Sequence, residues 1–182
     1  MSTELIILII VPLAFIFYCL LVILIFFSPS SIKSIINGAP PIPSPKKDIK
    51  LALKSVGLSE GDLFYDLGHG TGKAVIMAEK EFKAQALGIE WSLFWFLFSK
   101  INLFLHKSKS KLKRGNFLKM NLSKADVVYS YTSKSLMERL EKKILDEDLQ
   151  IKVVSYCFSF PNLEYEKKVK TASGKNIFIY KT

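Results

Sequence analysis

One stretch, Leu63-Phe64-Tyr65-Asp66-Leu67-Gly68-His69-Gly70-Thr71-Gly72-Lys73, constrains the fold of this chain more than any other. Apolar residues run into an acid, glycines follow at every second position, and Ala74-Val75-Ile76-Met77-Ala78 reads as a helix opening. The pattern implies a strand, a tight turn and a helix N-terminus, because glycine tolerates positive φ and lets a ligand touch bare backbone. Spacing decides among the glycine-rich turns that hold small ligands. A P-loop fails twice, since Leu67 stands where its first glycine belongs and Ala74 where its hydroxyl belongs. A dinucleotide-binding turn fits poorly, because Gly72 follows Gly70 one residue too early.

A second acid narrows the ligand. After a helix read at Lys73–Phe82, Gln85-Ala86-Leu87-Gly88-Ile89-Glu90 reads as a strand ending in a carboxylate. A carboxylate at the tip of a neighbouring parallel strand, roughly 20 residues after the glycines, accepts both hydroxyls of a ribose. Glu90 is the candidate for that role. A lone charge at a strand end is common, and only the glycines ahead of it make this one informative.

A hydrophobic content of 49% and a mean hydropathy of +0.25 are high for a soluble domain, and the excess lies at the front. Residues 5–27 carry no charge and are mostly Leu, Ile, Val and Phe. As a helix they extend roughly 34 Å, enough for a hydrocarbon core of about 30 Å. We read a membrane-spanning helix, in which Pro12 is tolerated because the bilayer penalises an unravelled backbone. A cleaved signal peptide is the rival, but Met1-Ser2-Thr3-Glu4 lacks a basic start and the apolar run is too long. Lys33, Lys46, Lys47 and Lys50 lie beyond the run, so the positive-inside rule leaves the N-terminus outside and the rest of the chain in the cytoplasm.

Four prolines in Asn37-Gly38-Ala39-Pro40-Pro41-Ile42-Pro43-Ser44-Pro45 exclude regular helix and strand. The chain therefore divides into an anchor (1–28), a stiff proline-rich linker (29–43) and a domain (44–182). Ser44 as N-cap and Pro45 at the first helical position open a short helix, with Ile49, Leu53 and Val56 at helical spacing up to Gly57. Residues 91–105 form a helix that is apolar almost all round and too short to span a bilayer. Either it is deeply buried, or its outer face touches lipid or the anchor helix. Lys107, Lys109, Lys111, Lys113 and Arg114 follow and contribute to a net charge of +10. Such a run is ordinarily a solvated loop; beside a membrane it also attracts anionic headgroups, about 1 kcal/mol per residue. Nucleic acid is the weaker partner, for no aromatics interleave the charges.

A third strand ends near Gly115-Asn116-Phe117, a fourth covers residues 125–131, a helix 135–145 and a fifth strand 151–160. Residues 165–170 and 176–181 then form a hairpin over Ala172-Ser173-Gly174-Lys175, leaving no room for a helix before the sixth strand. Cys19 lies in the span and Cys157 in a strand read as buried, so no disulfide is expected. His69 and His106 lack Cys or carboxylate partners at ligand spacing, so no metal site is expected either.

Asp66-x-Gly68-x-Gly70-x-Gly72 at the end of a first strand resembles motif I of the class I S-adenosylmethionine (SAM) methyltransferases. Adding Ala39-Pro40-x-x-Pro43-Ser44 after a hydrophobic segment, the short helix, Tyr65-Asp66-Leu67-Gly68-x-Gly70 and Glu90, the chain resembles one branch of that class. This branch is the membrane-anchored protein lysine methyltransferases that modify the mitochondrial ATP synthase c-subunit and adenine nucleotide translocase, with prokaryotic relatives. The resemblance implies an α/β, Rossmann-like sheet of seven strands, the last antiparallel, with helices on both faces. It implies SAM as cofactor, held by Asp66, Leu67, Gly68, His69, Gly70, Glu90, Trp91, Asn116 and Phe117. Asn116 stands where the class usually has an aspartate beside the adenine amino group. Tyr131 fits the aromatic residue bordering the methyl-transfer pocket, with the role of orienting a free amine, and Lys134 stands where a proline is common. The acceptor implied is a lysine of a membrane-associated protein. A lipid, quinone or small-molecule acceptor fits the same residues, and a SAM-binding scaffold without catalysis is the alternative of another class.

Overall fold

The computed structural model describes residues 3–26 and 44–182. Helix α1 (Thr3–Phe26) contains Pro12, and no residue of Ile7–Leu24 is buried; by length and composition it is able to cross a membrane. The linker read at 29–43 lies outside the described residues.

Helix α2 (Lys46–Ser55) precedes strand β1 (Leu63–Leu67), helix α3 (Lys73–Phe82) and strand β2 (Gln85–Glu90). Helix α4 (Leu93–Leu105), strand β3 (Lys111–Arg114), a short 3-10 turn (Phe117–Lys119), strand β4 (Val127–Ser130) and helix α5 (Lys134–Asp146) come next. Strands β5 (Lys152–Tyr156), β6 (Lys167–Lys170) and β7 (Asn176–Lys181) complete the chain. The sheet order is β3-β2-β1-β4-β5-β7-β6, with β7 antiparallel to both its neighbours and the other pairs parallel. The seven strands thus follow the expected arrangement.

The central strands are apolar on both sides because helices cover both faces. On one face Ile49 and Leu53 of α2 and Val75 of α3 meet Phe64, Val154 and Ile177. On the other, Met137, Leu140 and Ile144 of α5 meet Leu67, Val128 and Tyr180. Parallel pairing places Leu67 beside Ser130, and Ser130 beside Ser155. The carboxyl ends of β1, β4 and β5 therefore open on one rim, where ligands of such sheets bind.

Several boundaries differ from the sequence reading. Pro45, not Ser44, is the N-cap of α2, and no side chain caps it. Helix α4 starts at Leu93 rather than at 91 because the Ser92 hydroxyl accepts from the Trp95 N–H and so defines the start. Strand β3 stops at Arg114. The fifth strand does not extend through 160 but ends at Tyr156: the Cys157 N–H still donates to the Asn176 carbonyl at 2.8 Å, and its left-handed φ of 78° then turns the chain out of the ladder. Cys157 is accordingly half-buried at a strand end rather than inside a strand.

Candidate active site

The glycine turn joins β1 to α3. Gly68, Gly70 and Gly72 have φ of 82°, 50° and 77°, backbone that a side chain would strain. The Gly68 and His69 N–H groups donate to the Ile89 carbonyl at 2.8 and 3.2 Å, tying the turn to the end of β2. Gly72 caps α3, and a Cβ there would stand 3.0 Å from Leu103 Cδ1 and 3.4 Å from Ser99 Cβ of α4. Asn102 of the same helix donates from Nδ2 to the Thr71 carbonyl at 2.8 Å. Helix α4 therefore clamps the turn from outside, a contact that the sequence reading missed.

Two carboxylates flank this turn. Glu90, at the tip of β2, accepts from the Gly70 N–H at 3.0 Å through Oε2 and from the Ser92 N–H at 2.8 Å through Oε1. A carboxylate offers roughly four lone-pair sites, so acceptor capacity remains for a ligand hydroxyl. Burial raises the Glu90 carboxyl above its usual range, outweighing the N–H groups of Ser92, Gly70 and Trp91 that pull it down. Asp66 lies 3% exposed on β1, and burial, then the Glu90 charge, push its pKa up to about 8. Two buried acids at the head of a glycine turn make a site suited to a cationic ligand.

His69, within the turn, is uncharged, burial holding its pKa down at about 4. Its Nδ1 faces the Gly70 carbonyl at 3.1 Å, while the buried Nε2 has no partner among the described residues. The ring rests on Gly88 of β2, where an added Cβ would stand 2.6 Å from His69 Cδ2. An isolated glycine within a strand signals such a close approach.

The remaining residues of the sequence reading fall on the same rim or directly beneath it. Leu67 and Phe117 are core side chains, 0% and 8% exposed, so they could reach a ligand only through their backbone. Trp91 is 37% exposed beside Glu90. Asn116 follows Gly115, whose N–H donates to the Glu90 carbonyl, and Asn116 Oδ1 accepts from the Leu118 N–H at 3.0 Å. An adenine contact would use the second lone pair of that oxygen or the Nδ2 amide. Past β4, Thr132 comes against the turn, its Cγ2 3.8 Å from where a Gly68 Cβ would be. Tyr131 stands next to it, half-buried, with its hydroxyl raised in pKa by burial and by the neighbouring Cys157 thiol. Lys134 is the first residue of α5, with Ser133 accepting from the Leu136 N–H as its N-cap. Proline is favoured at that first helical position, and lysine begins the helix there in its place. Among the described residues no group of three or more His, Cys, Asp or Glu gathers that could hold a metal ion.

The sheet order, the glycine turn and the acid at the tip of β2 define a class I SAM-dependent methyltransferase. Solved structures share the fold. An RNA methyltransferase from Salinibacter ruber, in complex with S-adenosylhomocysteine, aligns with a TM-score of 0.72 and 23% identity over 77% of this chain and 93% of its own. A precorrin-6y C5,15-methyltransferase from Geobacter metallireducens aligns with a TM-score of 0.61 and 16% identity over 79% and 92%. Residues 66–167 match the ANTKMT methyltransferase domain, and the chain belongs to that family, with SAM as methyl donor. A protein-lysine N-methyltransferase of Saccharolobus islandicus is 26% identical over 155 residues, covering 81% of this chain and 96% of that protein.

Proposed function

We propose that this enzyme is anchored in a membrane by α1 and N-methylates a lysine side chain of a membrane-associated protein, with residues 44–182 as the catalytic domain on the cytoplasmic side. The observation that carries the anchoring is the pairing of α1 with α4. The two helices touch, and α4 turns outward Ile101, Phe104 and Leu105, which are 61%, 81% and 69% exposed. Exposed apolar surface beside a spanning helix suits the membrane interface. Lys111, Lys113 and Arg114 of β3 lie alongside and suit anionic headgroups. The lysine acceptor is supported by the name of the archaeal relative.

In this reading Glu90 takes the ribose hydroxyls, the turn at Gly68, His69 and Gly70 receives the amino-acid end beside Asp66, and Asn116 and Phe117 border the adenine. SAM supplies a methyl group on a positively charged sulfur. The acceptor amine must first lose a proton to solvent; its lone pair would then form the N–C bond as the C–S bond breaks, the electrons passing to sulfur and S-adenosylhomocysteine leaving. The chain binds, aligns and excludes water, which is how most of such a barrier is lowered. Tyr131 orients the amine, and the apolar mouth favours its uncharged form. The test is radiolabelled SAM with whole membranes, followed by separation of protein from lipid and acid hydrolysis. Label recovered as methyl-lysine is expected; label in lipid alone would overturn the acceptor.

A further inference from the structure

Asp48 is a buried acid that the reaction described above leaves unused. It lies 3% exposed in the first turn of α2. Its Oδ2 accepts from the Tyr156 hydroxyl at 2.7 Å and from the Ser173 hydroxyl in the β6–β7 turn. A carboxylate near a helix N-terminus is ordinarily a partner of the helix dipole on the surface. Here it instead joins three elements far apart in sequence at the end of β5.

What Asp48 holds leads directly to the glycine turn. The Tyr156 ring meets Tyr131 edge-on, centroids 4.8 Å apart at 82°. Tyr131 precedes Thr132, whose Cγ2 lies 3.8 Å from where a Cβ on Gly68 would stand. Cys157, after Tyr156, adopts a left-handed φ of 78°, and its thiol lies by the Tyr131 hydroxyl. Left-handed backbone at a residue other than glycine is strained, and such strain clusters at functional sites. The Tyr156 hydroxyl donates its hydrogen bond to Asp48, which fixes the ring's rotation and hence the wall against which Tyr131 rests.

We propose that Asp48 is a positioning residue for methyl transfer: by accepting from Tyr156 and Ser173 it locks the aromatic wall behind Tyr131 and so sets where the acceptor amine lies relative to the glycine turn. This rests on the reading of Tyr131 as the residue that orients an amine. Alignment is where such a contact matters, since a misplacement of about 1 Å at the reacting atoms costs on the order of 100-fold in rate. Asp48 also stands in the helix by which the chain enters the domain, so one carboxylate fixes both that entry and the mouth.

The test uses the full chain in detergent or lipid discs, radiolabelled SAM, and membranes as the acceptor source. Asp48→Ala and Tyr156→Phe should each lower kcat on the order of 10- to 100-fold, with the dissociation constant for SAM changed less than about twofold. The double variant should be no worse than either single one, because both cut the same link. Asp48→Asn keeps a carbonyl oxygen for both hydroxyls and should recover most of the rate, which loss of a buried charge alone would not allow. Should Asp48→Ala fail to fold, Tyr156→Phe decides, for it removes one oxygen and keeps the ring. Wild-type kcat in Tyr156→Phe, an Asp48→Asn as slow as Tyr156→Phe, or losses that appear in SAM affinity would each overturn the inference. Methyl-lysine made by the wild type beside an unimpaired Tyr156→Phe refutes Asp48 alone; label confined to lipid in the wild type refutes the protein lysine acceptor on which this role rests.

Discussion

Replacing Glu90 by alanine separates the stability of the fold from its affinity for SAM. In the free protein the carboxylate spends one lone pair on the Gly70 N–H at 3.0 Å and one on the Ser92 N–H at 2.8 Å. In the proposed role its remaining acceptor capacity goes to the ribose. A hydrogen bond to a charged group contributes about 1.5 to 3 kcal/mol. Losing the equivalent of one therefore weakens SAM by roughly 10- to 150-fold at 1.4 kcal/mol per factor of ten. A loosened Gly70 would move the result toward the upper end. Stability should respond differently, because burial has raised the Glu90 carboxyl, and its ionised form is penalised in the fold at neutral pH. Its charge also raises Asp66. Titration calorimetry near pH 8 should thus show the affinity loss while the Tm without ligand is unchanged or higher. Glu90→Gln should bind poorly too, since one N–H of its amide must face the N–H of Gly70 or Ser92. Wild-type affinity in Glu90→Ala, or a loss that merely follows a collapse of Tm, would refute the assignment.

Other outcomes follow from single contacts. Burial pushes the Asp66 carboxyl from its ordinary 3.8 up to about 8, so the fold prefers its protonated form; the stability it contributes is full below the lower value and is lost as pH rises through the window up to the higher one. Unliganded Tm should fall over that range, and with Asp66 in its proposed place beside the amino-acid end of SAM, binding should release a proton near pH 7, read by calorimetry in buffers of different ionisation enthalpy; binding without proton release would argue against Asp66 facing a cation. Gly88→Ala would force a Cβ within 2.6 Å of the His69 ring, costing about 1 to 3 kcal/mol by overpacking and weakening SAM, whereas an unchanged urea midpoint would show that the ring yields freely. Deleting α1 should leave SAM affinity as it is but sharply reduce methylation of membranes, because effective concentration is lost rather than chemistry; equal rates from the shortened chain would remove the anchor from the mechanism.

The elements legible in the sequence were those whose limits are set locally. Lys73–Phe82 and Gln85–Glu90 agree residue for residue with the structure, for glycine punctuates one and a strand-end acid the other. The fifth strand was overextended because its apolar run continues through Phe158 and Phe160 while the backbone turns at Cys157. Nothing in local pattern marks a left-handed cysteine. The site divides in the same way. Asp66, the glycines and Glu90 carry their own signature, whereas Asn102, Thr132 and Asp48 act through partners distant in the chain. Gly88 was readable in principle, as an interior strand glycine asks what approaches it.

The two outer strands of the sheet have a consequence of their own. β3 reads Lys111-Leu112-Lys113-Arg114 and β6 reads Lys167-Lys168-Val169-Lys170, so both borders of the ladder present rows of lysine and arginine. An open border pairs readily with another chain's backbone, and positive charge opposes that encounter. Confinement to a surface raises the frequency with which copies meet side by side, which makes the deterrent more valuable there than in dilute solution. Neutralising those lysines should therefore be harmless to one isolated molecule and harmful to a crowd of them.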